Sequence, residues 1–303
     1  MTHESVLLAE SIEWLAPGPG KVLVDGTLGL GGHSRRWLES SMPNGQVVGF
    51  DRDPEAVLEA GRILENFGNR TMIICDNFCH AAKHLKAKKV KAVDAILLDL
   101  GVSSLQLDKA SKGFSFRLEG PLDMRMNPED SVSAETLVNE ASEESLREIF
   151  WKYGEERFSR QIARRIVQER AKKRIQTTRE LENIIFHAVP RGARFGGRLH
   201  PATRCFQALR IAVNQELEAL QEFLPQAVEL LGEEGRLAVI SFHSLEDRIV
   251  KKLFRDFEKN KMGKILTKKP IEPSEVEKSQ NPRSRSAKMR VFERRALNSE
   301  AVS

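Results

Sequence analysis

A strand, a glycine-rich loop and the start of a helix follow one another at residues 22–38, and this stretch constrains the fold most strongly. Val22 to Val24 is a short apolar run that suits a buried strand of a parallel sheet. Asp25 ends the run, and three glycines follow within four positions, at Gly29, Gly31 and Gly32. Glycine permits positive φ angles and close approach of a ligand, and the free N–H groups of a helix start point toward such a loop. The stretch therefore predicts a nucleotide-type cofactor site.

The spacing of the glycines distinguishes between two kinds of cofactor. A dinucleotide fingerprint, Gly-x-Gly-x-x-Gly, needs a third glycine where this chain has Ser34. Asp25, Gly29 and Gly31 instead fit the acidic-x-x-x-Gly-x-Gly loop of S-adenosylmethionine (SAM) enzymes, in which a carboxylate lies near the methionine ammonium group. The spacing favours SAM and leaves open both a dinucleotide and a structural turn without a ligand.

The first hundred residues alternate between helix and strand patterns. A leading helix at 4–15 precedes the first strand, and apolar runs at 46–50, 71–75 and 92–98 predict three more strands. Helices are expected between them, one with Asp53 as N-cap that extends to about Phe67, and another around 81–86. This alternation predicts a parallel, doubly wound α/β sheet with right-handed crossovers.

The pattern changes at about Leu105. Residues 105–130 predict a long loop, and residues 133–200 are helical in pattern, with a capping box formed by Thr177 and Glu180. The helices end in a flexible basic loop at 191–198. We therefore expect an all-helical domain, residues 106–200, inserted into the α/β domain.

The α/β pattern returns after Pro201. It predicts one long helix over 201–223, a strand over 236–242 and a helix opened by Ser244. A lysine-rich mobile loop is expected at 259–285, and an antiparallel edge strand at 288–294. The α/β domain is thus expected to be discontinuous, comprising residues 1–105 and 201–303.

Basic residues are concentrated in two segments. Residues 151–200 carry a net charge of +8 and residues 251–295 carry +9, so the remainder carries −12 within a total of +5. Segregation of this kind favours a polyanionic partner, although solvated helix faces are the alternative. The first candidates for phosphate contacts lie on or just after one predicted helix and on the loop behind it. They are Arg164, Arg165, Lys172, Lys173 and Arg174 on the helix, and Arg191, Arg194 and Arg198 on the loop.

The composition also bears on location and on metal binding. No apolar run approaches the roughly 20 residues of a membrane span, and the N-terminus lacks a signal-peptide pattern. The three cysteines and the histidines show no metal-ligand spacing, so we expect no metal, a reducing compartment and a cytoplasmic protein.

Acidic residues at strand ends are the candidate site residues. Asp51 ends the second strand, where a carboxylate can accept hydrogen bonds from both ribose hydroxyls, or can compete with Asp53 for the helix cap. Phe78, after the third strand, suits one face of an adenine, although a lone aromatic residue is more often part of the core. His243 follows a later strand and is more often structural than catalytic in such a position.

Asp99 ends the fourth strand, beside the expected position of the transferred methyl group. Enzymes that methylate exocyclic base amines usually place Asp or Asn here, followed by Pro-Pro-aromatic. Acceptors that bind the amine hydrogens favour the pyramidal geometry needed for attack. This chain keeps Asp99 but continues with Leu100-Gly-Val-Ser-Ser, so the amine must be held differently. A strand-end cap is the structural alternative.

Eight motifs, in order along nearly the whole chain, resemble those of the bacterial ribosomal RNA small-subunit methyltransferase H family, also called MraW. The motifs are Asp25-Gly-Thr-Leu-Gly-Leu-Gly-Gly-His-Ser, Asp51-Arg-Asp-Pro, Leu97-Leu-Asp-Leu-Gly-Val-Ser-Ser-Leu-Gln-Leu-Asp, Gly113-Phe-Ser-Phe, Gly120-Pro-Leu-Asp-Met-Arg-Met, Tyr153-Gly-Glu-Glu-Arg, His200-Pro-Ala-Thr-Arg and Ser241-Phe-His-Ser-Leu-Glu-Asp-Arg. The match weakens only at 259–281 and after Leu297.

This resemblance implies a class I SAM-dependent methyltransferase fold and N4-methylation of one cytosine in the decoding region of 16S rRNA. It implies that the SAM contacts are Gly31, Gly32, His33, Asp51, Phe78, Asp99 and Gln106. The implied partner is small-subunit rRNA, within an assembled or late-assembling 30S subunit or as naked RNA, with no membrane involved. The oligomeric state stays open, with a homodimer among the options.

Two other functions compete with this one. A methyltransferase for a protein or a small molecule would use the basic helices only as a lid, and it would turn over without RNA. A ribosome-assembly factor that has lost catalysis would bind rRNA without SAM, although the intact Asp25, Asp51 and Asp99 argue against that function.

Overall fold

A computed structural model describes residues 5–194 and 200–295 of the chain. Its strands are β1 Val22–Asp25, β2 Gln46–Asp51, β3 Thr71–Cys75, β4 Val93–Asp99, β5 Leu231–Ser241, β6 Gly263–Ile265 and β7 Lys288–Arg294. Its α-helices are α1 Leu8–Leu15, α2 Gly32–Ser40, α3 Pro54–Leu64, α4 Ala81–Ala87, α5 Ser104–Asp108, α6 Ala134–Glu140, α7 Glu143–Gly154, α8 Ser159–Arg170, α9 Thr178–Ala188, α10 Arg191–Arg194, α11 Ala202–Asn214, α12 Glu216–Leu230, α13 Ser244–Lys259 and α14 Glu275–Gln280.

The seven strands form one sheet in the order β3-β2-β1-β4-β5-β7-β6. The pairs among β1 to β5 are parallel, and β7 is antiparallel to both β5 and β6. This mostly parallel, Rossmann-like sheet confirms the expected class I methyltransferase fold. No described helix is long and apolar enough to cross a membrane.

Two compact units share the chain: Met1–Gly101 with Leu217–Ser303, and Val102–Glu216. In the first unit, alternate strand residues face opposite sides of the sheet, as strand geometry requires. Val24 and Ile96 pack on one side, and Leu23 and Ala95 pack on the other. The second unit has its own core, to which the helices α6 to α9 and α11 contribute.

The second unit contains the predicted 106–200 segment and extends beyond it, to Glu216. The single helix expected at 201–223 is wrong, because Gln215 has a left-handed conformation with φ 50° and separates α11 from α12. The side chain of Asn214 holds this turn, since it donates to the Met124 carbonyl at 2.8 Å and accepts from the Met126 N–H at 2.8 Å. Side-chain contacts of this kind are not visible in a helical sequence pattern.

The lysine-rich loop expected at 259–285 is also wrong. β6, α14 and a 3-10 turn at Pro282–Ser286 lie in this segment, and Ser274 caps α14 by accepting from the Glu277 N–H. The prediction was based on the lysine-rich composition and overlooked the apolar residues of this segment. Ile265 and Ile271 pack against the hydrophobic cores on the two sides of the sheet. The antiparallel direction of β7 is confirmed, but β7 is not an edge strand, because β6 pairs with its outer side.

Smaller differences concern helix boundaries. The helix expected to reach Phe67 ends at Leu64 and continues as 3-10 turns, and the expected loop at 105–130 begins with α5. Arg191–Arg194 forms a short helix where a flexible loop was expected, and residues 195–199 lie outside the described chain. The capping box of Thr177 and Glu180 is confirmed.

Candidate functional site

Three aspartates end three adjacent parallel strands. β1 lies between β2 and β4, so Asp25, Asp51 and Asp99 stand at the same edge of the sheet. The chain reverses its strand order between β1 and β4, and the crevice at such a switch point is where open α/β sheets bind ligands.

Backbone hydrogen bonds attach the loop after β1 to both neighbouring strands. The Gly26 N–H donates to the Leu97 carbonyl of β4 at 2.9 Å, and the Leu28 N–H donates to the Phe50 carbonyl of β2 at 2.9 Å. The Asp99 N–H in turn donates to the Thr27 hydroxyl at 2.6 Å. The loop is therefore ordered by the protein itself before any ligand binds. The sequence reasoning overlooked Thr27.

The glycines of this loop serve its backbone. Gly29 and Gly31 have φ angles of 52° and 78°, and Gly31 is the N-cap of α2. A Cβ on Gly31 would lie 3.2 Å from Leu64 Cδ1, and one on Gly32 would collide with Ser5. The atoms closest to these two positions thus belong to the protein itself, and the positive φ of Gly31 is a conformational reason for glycine at that position. Close approach of a ligand to this loop stays a prediction.

Asp51 anchors the loop instead of capping α3. Its Oδ2 accepts from the Gly29 N–H at 2.8 Å and its Oδ1 from the Asp53 N–H at 2.9 Å, whereas Asp53 caps α3 by accepting from the Glu55 N–H. A carboxylate has about four acceptor positions, so these bonds are compatible with further donors such as ribose hydroxyls.

Asp25 is buried beneath the loop. Its Oδ2 accepts from the Ser34 hydroxyl at 2.7 Å, and its Oδ1 accepts from the Thr27 N–H at 3.2 Å. Burial raises the pKa of Asp25 from 3.8 to about 6, against the effect of these two bonds, and repulsion from Asp51 adds to the rise. A nearby positive charge, such as SAM carries, would relieve this cost.

The raised pKa predicts a pH dependence of stability. The folded protein holds the Asp25 proton more tightly than the unfolded chain, so the stabilisation is complete below pH 3.8 and is lost as the pH rises through about 6. Asp25→Asn cannot ionise. The free energy of unfolding of the Asp25→Asn variant minus that of the wild type should therefore rise by up to about 3 kcal/mol between pH 4 and pH 7. Denaturant unfolding of the ligand-free proteins measures this difference, and a difference that stays constant with pH would contradict the assignment.

Asp99 and His33 lie together beside the loop. The His33 Nε2 is 3.0 Å from the Val6 carbonyl oxygen, so this nitrogen carries a proton, and its Nδ1 is 3.9 Å from Asp99 Oδ2. Burial raises the pKa of Asp99 well above its ordinary value, and the carboxylates of Asp25 and Glu246 raise it further. Among the described residues, no atom makes a hydrogen bond to the buried Asp99 Oδ1. A buried polar atom without a partner calls for an explanation, and a ligand with an N–H group supplies one.

Phe78 lies next to the loop and is partly buried. Its ring packs edge-on against Phe223 with centroids 5.3 Å apart, and its Cβ lies 3.0 Å from where a Cβ on Gly26 would be. Phe78 therefore belongs to the core at this edge and also borders the crevice.

The residue pair His80 and His84 was not singled out from the sequence. Their ring nitrogens lie 2.8 and 2.7 Å from the two oxygens of Asp76, which directly follows β3. Although burial opposes the change, these hydrogen bonds from His84 and His80 lower the pKa of Asp76. The i, i+4 spacing of the two histidines on a helical turn is the signal that was available.

The other two candidate residues are helix caps. His243 is the N-cap of α13, where Ser244 was expected, and it forms a capping box with Glu246. Gln106 belongs to the second unit, where it forms a capping box with Ser103 at the start of α5. A role for Gln106 in cofactor binding stays a prediction.

The residues at the strand ends fit SAM. The loop already has positive φ angles that favour glycine. The buried carboxyl group of Asp25 would be stabilised in its charged form by a cationic ligand. Asp51 lies at the strand end where such folds bind ribose hydroxyls. These are properties of the described residues and do not depend on the family resemblance.

Comparisons with known proteins identify the family of this chain. The model of the MraW methylase family matches residues 1–295. The chain is 49% identical to the ribosomal RNA small subunit methyltransferase H of Geotalea uraniireducens, over 96% of this chain and 98% of that protein. The proteins of the same name from Syntrophotalea carbinolica and Brevibacillus brevis are 49% and 45% identical over the same shares. A solved rRNA methylase from Streptococcus thermophilus aligns over 97% of this chain and 99% of its own, with 11% identity and a TM-score of 0.46.

The family of this chain is shown by the match across residues 1–295 and by relatives at 49% identity. SAM is accordingly the cofactor of this enzyme. The chain belongs to the MraW methylase family.

Proposed function

We propose that this protein transfers a methyl group from SAM to the N4 amine of a cytosine in the decoding region of small-subunit rRNA. The observation that carries the choice of an amine is the Asp99 Oδ1 atom, a buried acceptor to which no described residue donates. The relatives' name, ribosomal RNA small subunit methyltransferase H, supports rRNA as the substrate.

Each site residue has a role in this proposal. The cofactor is held at the loop and the start of α2 by Gly31, Gly32 and His33. Asp51 binds the ribose hydroxyls, and Phe78 borders the adenine. Hydrogen bonds that already attach the loop to β2 and β4 fix the cofactor's position at little entropic cost.

Asp99 prepares the amine for reaction. SAM supplies a methyl group made electrophilic by its sulfonium. The N4 lone pair of cytosine is delocalised into the ring, and a carboxylate oxygen that accepts an N4 hydrogen draws the nitrogen toward a pyramidal geometry. His33 Nδ1 lies 3.9 Å from the other Asp99 oxygen, which is too far for a direct hydrogen bond. The attacking nitrogen becomes strongly acidic, so its proton can leave to water without a dedicated base.

The second unit recognises the substrate in this proposal. Its basic surface suits RNA, and the reaction takes place in the cytoplasm on the assembled or late-assembling 30S subunit.

Incubation with labelled SAM tests the proposed substrate. Label should enter the rRNA of small subunits that lack the mark, and comparison with protein-free rRNA identifies the form that is used. Incorporation into protein or small molecules without RNA would contradict the proposal. Absence of SAM binding by calorimetry would instead support a binding factor without catalysis.

A further inference from the structure

The basic cluster Lys172, Lys173 and Arg174, which the sequence favoured for phosphate contacts, is paired with acidic residues. Lys172 Nζ lies 3.1 Å from Glu169, Lys173 Nζ lies 2.6 Å from Glu180, and Arg174 Nε lies 2.8 Å from Glu135. A phosphate would have to compete with a carboxylate for each of these cations. Charge counting along the sequence could not reveal this, because Glu180 and Glu135 lie in the helices α9 and α6.

A second basic surface of the same unit has no acidic lining. A cavity of about 640 Å³ lies between α8, the residues just before it, and α9. We call it the α8–α9 groove, and its lining residues are Arg157, Arg160, Gln161, Arg164, Arg165, Gln168, His187 and Ala188. The positions 160, 161, 164 and 168 recur at helical spacing, so one side of α8 presents arginine and glutamine together, and Arg157 lies two residues before the helix.

Two of the four groove arginines have no acidic partner. Among the described residues, no carboxylate lies within 4.0 Å of Arg157 or Arg160, and both side chains are exposed. Arg164 is 3.8 Å from Glu143, and Arg165 is 2.9 Å from Glu169. Like charges held together without counterions repel one another, so this groove has an electrostatic reason to take an anion.

The shape and chemistry of the groove match one kind of anion. Guanidinium groups bind phosphate oxygens in a bidentate manner, and glutamine amides add neutral donors. An open cavity that runs along a helix suits an extended chain of phosphates.

We propose that the α8–α9 groove binds the phosphodiester backbone of the RNA substrate, with Arg157 and Arg160 as its principal contacts. This inference rests on the proposed function, since it names the surface by which the rRNA is held. The contacts are independent of base sequence, so they supply affinity and orientation.

The test compares two double variants that remove the same charge from the same region. Arg157→Gln with Arg160→Gln removes the two unpaired arginines, and Lys172→Gln with Lys173→Gln removes two paired lysines. Binding to protein-free small-subunit rRNA is measured by filter retention at 50–300 mM KCl. The arginine variant should lower the log–log salt slope by about 1.4–1.8, since each lost phosphate contact contributes about 0.7–0.9. The lysine variant should change the slope by less than about 0.4.

Further measurements separate the possible failures. SAM affinity and thermal unfolding should match the wild type in both variants, and Arg157→Lys with Arg160→Lys should keep most of the slope. A wild-type slope in the arginine variant would overturn the groove assignment alone. Wild-type protein that binds neither protein-free rRNA nor small subunits would contradict the proposed function itself. Equal slope losses in the two double variants would show that phosphates contact both surfaces without preference, which also overturns the inference.

Discussion

Replacement of Asp51 by alanine is expected to weaken SAM binding by about 2–3 kcal/mol, because hydrogen bonds to a charged group contribute about that much. The same change removes the acceptor for the Gly29 N–H, so part of the loss reflects a less ordered loop. Asp51→Asn keeps an acceptor for that N–H without the charge and should lose less. Isothermal titration with SAM measures both variants.

A matched control is available two residues away. Asp53→Asn keeps a residue type that caps helices well, so its SAM affinity should stay close to that of the wild type. If Asp51→Ala bound SAM as tightly as the wild type, Asp51 would be a structural anchor of the loop and no cofactor ligand.

Asp99→Ala is expected to lower the rate of methyl transfer by about a hundredfold or more, as does removal of one preorganised polar group from other active sites. SAM affinity should fall much less, because the proposed partner of Asp99 Oδ1 is the substrate amine. Asp99→Asn keeps an acceptor oxygen and should retain more activity than the alanine variant. Single-turnover kinetics with enzyme in excess isolates the chemical step.

Comparison of the loss in SAM affinity with the loss in methyl-transfer rate decides the role of Asp99. Equal losses in SAM affinity and in methyl transfer would make Asp99 a cofactor ligand only. Asp94, at the other end of β4, provides a control: its carboxylate accepts from the Val22 N–H, so Asp94→Asn should leave both SAM affinity and methyl transfer near wild type.

The α/β sheet was predictable because its signals are local. The apolar runs of β1 to β4 end in Asp or just before it. Parallel strands bring those ends to one edge of the sheet, even when the predicted boundaries are wrong by a residue or two. The positions of Asp51 and Asp99 beside the glycine loop follow from this regularity. The N-cap role of Asp53 was predictable for the same reason, since a cap depends on neighbours within the same turn.

The contacts that fix the site were not predictable, because they join residues far apart in the sequence. Thr27 binds the Asp99 backbone across 72 positions, and His33 is held by the Val6 carbonyl across 27. The acidic partners of Arg174 lie 34 and 39 residues away in the sequence. The sequence therefore suggested that Arg174 was available to RNA, whereas the structure pairs it with carboxylates. The family resemblance named Gln106, but no described contact of the first unit tests that assignment.

The nucleoside formed by the reaction tests the central claim most directly. Small subunits that lack the mark are incubated with the purified protein and SAM, and the rRNA is then digested and separated by liquid chromatography with tandem mass spectrometry. We expect one new product that co-elutes with N4-methylcytidine and carries the added methyl group on the base, mapped to a fragment of the decoding region. A product with the methyl group at cytosine C5, on a ribose oxygen or on another base would contradict the proposed amine chemistry and the role of Asp99.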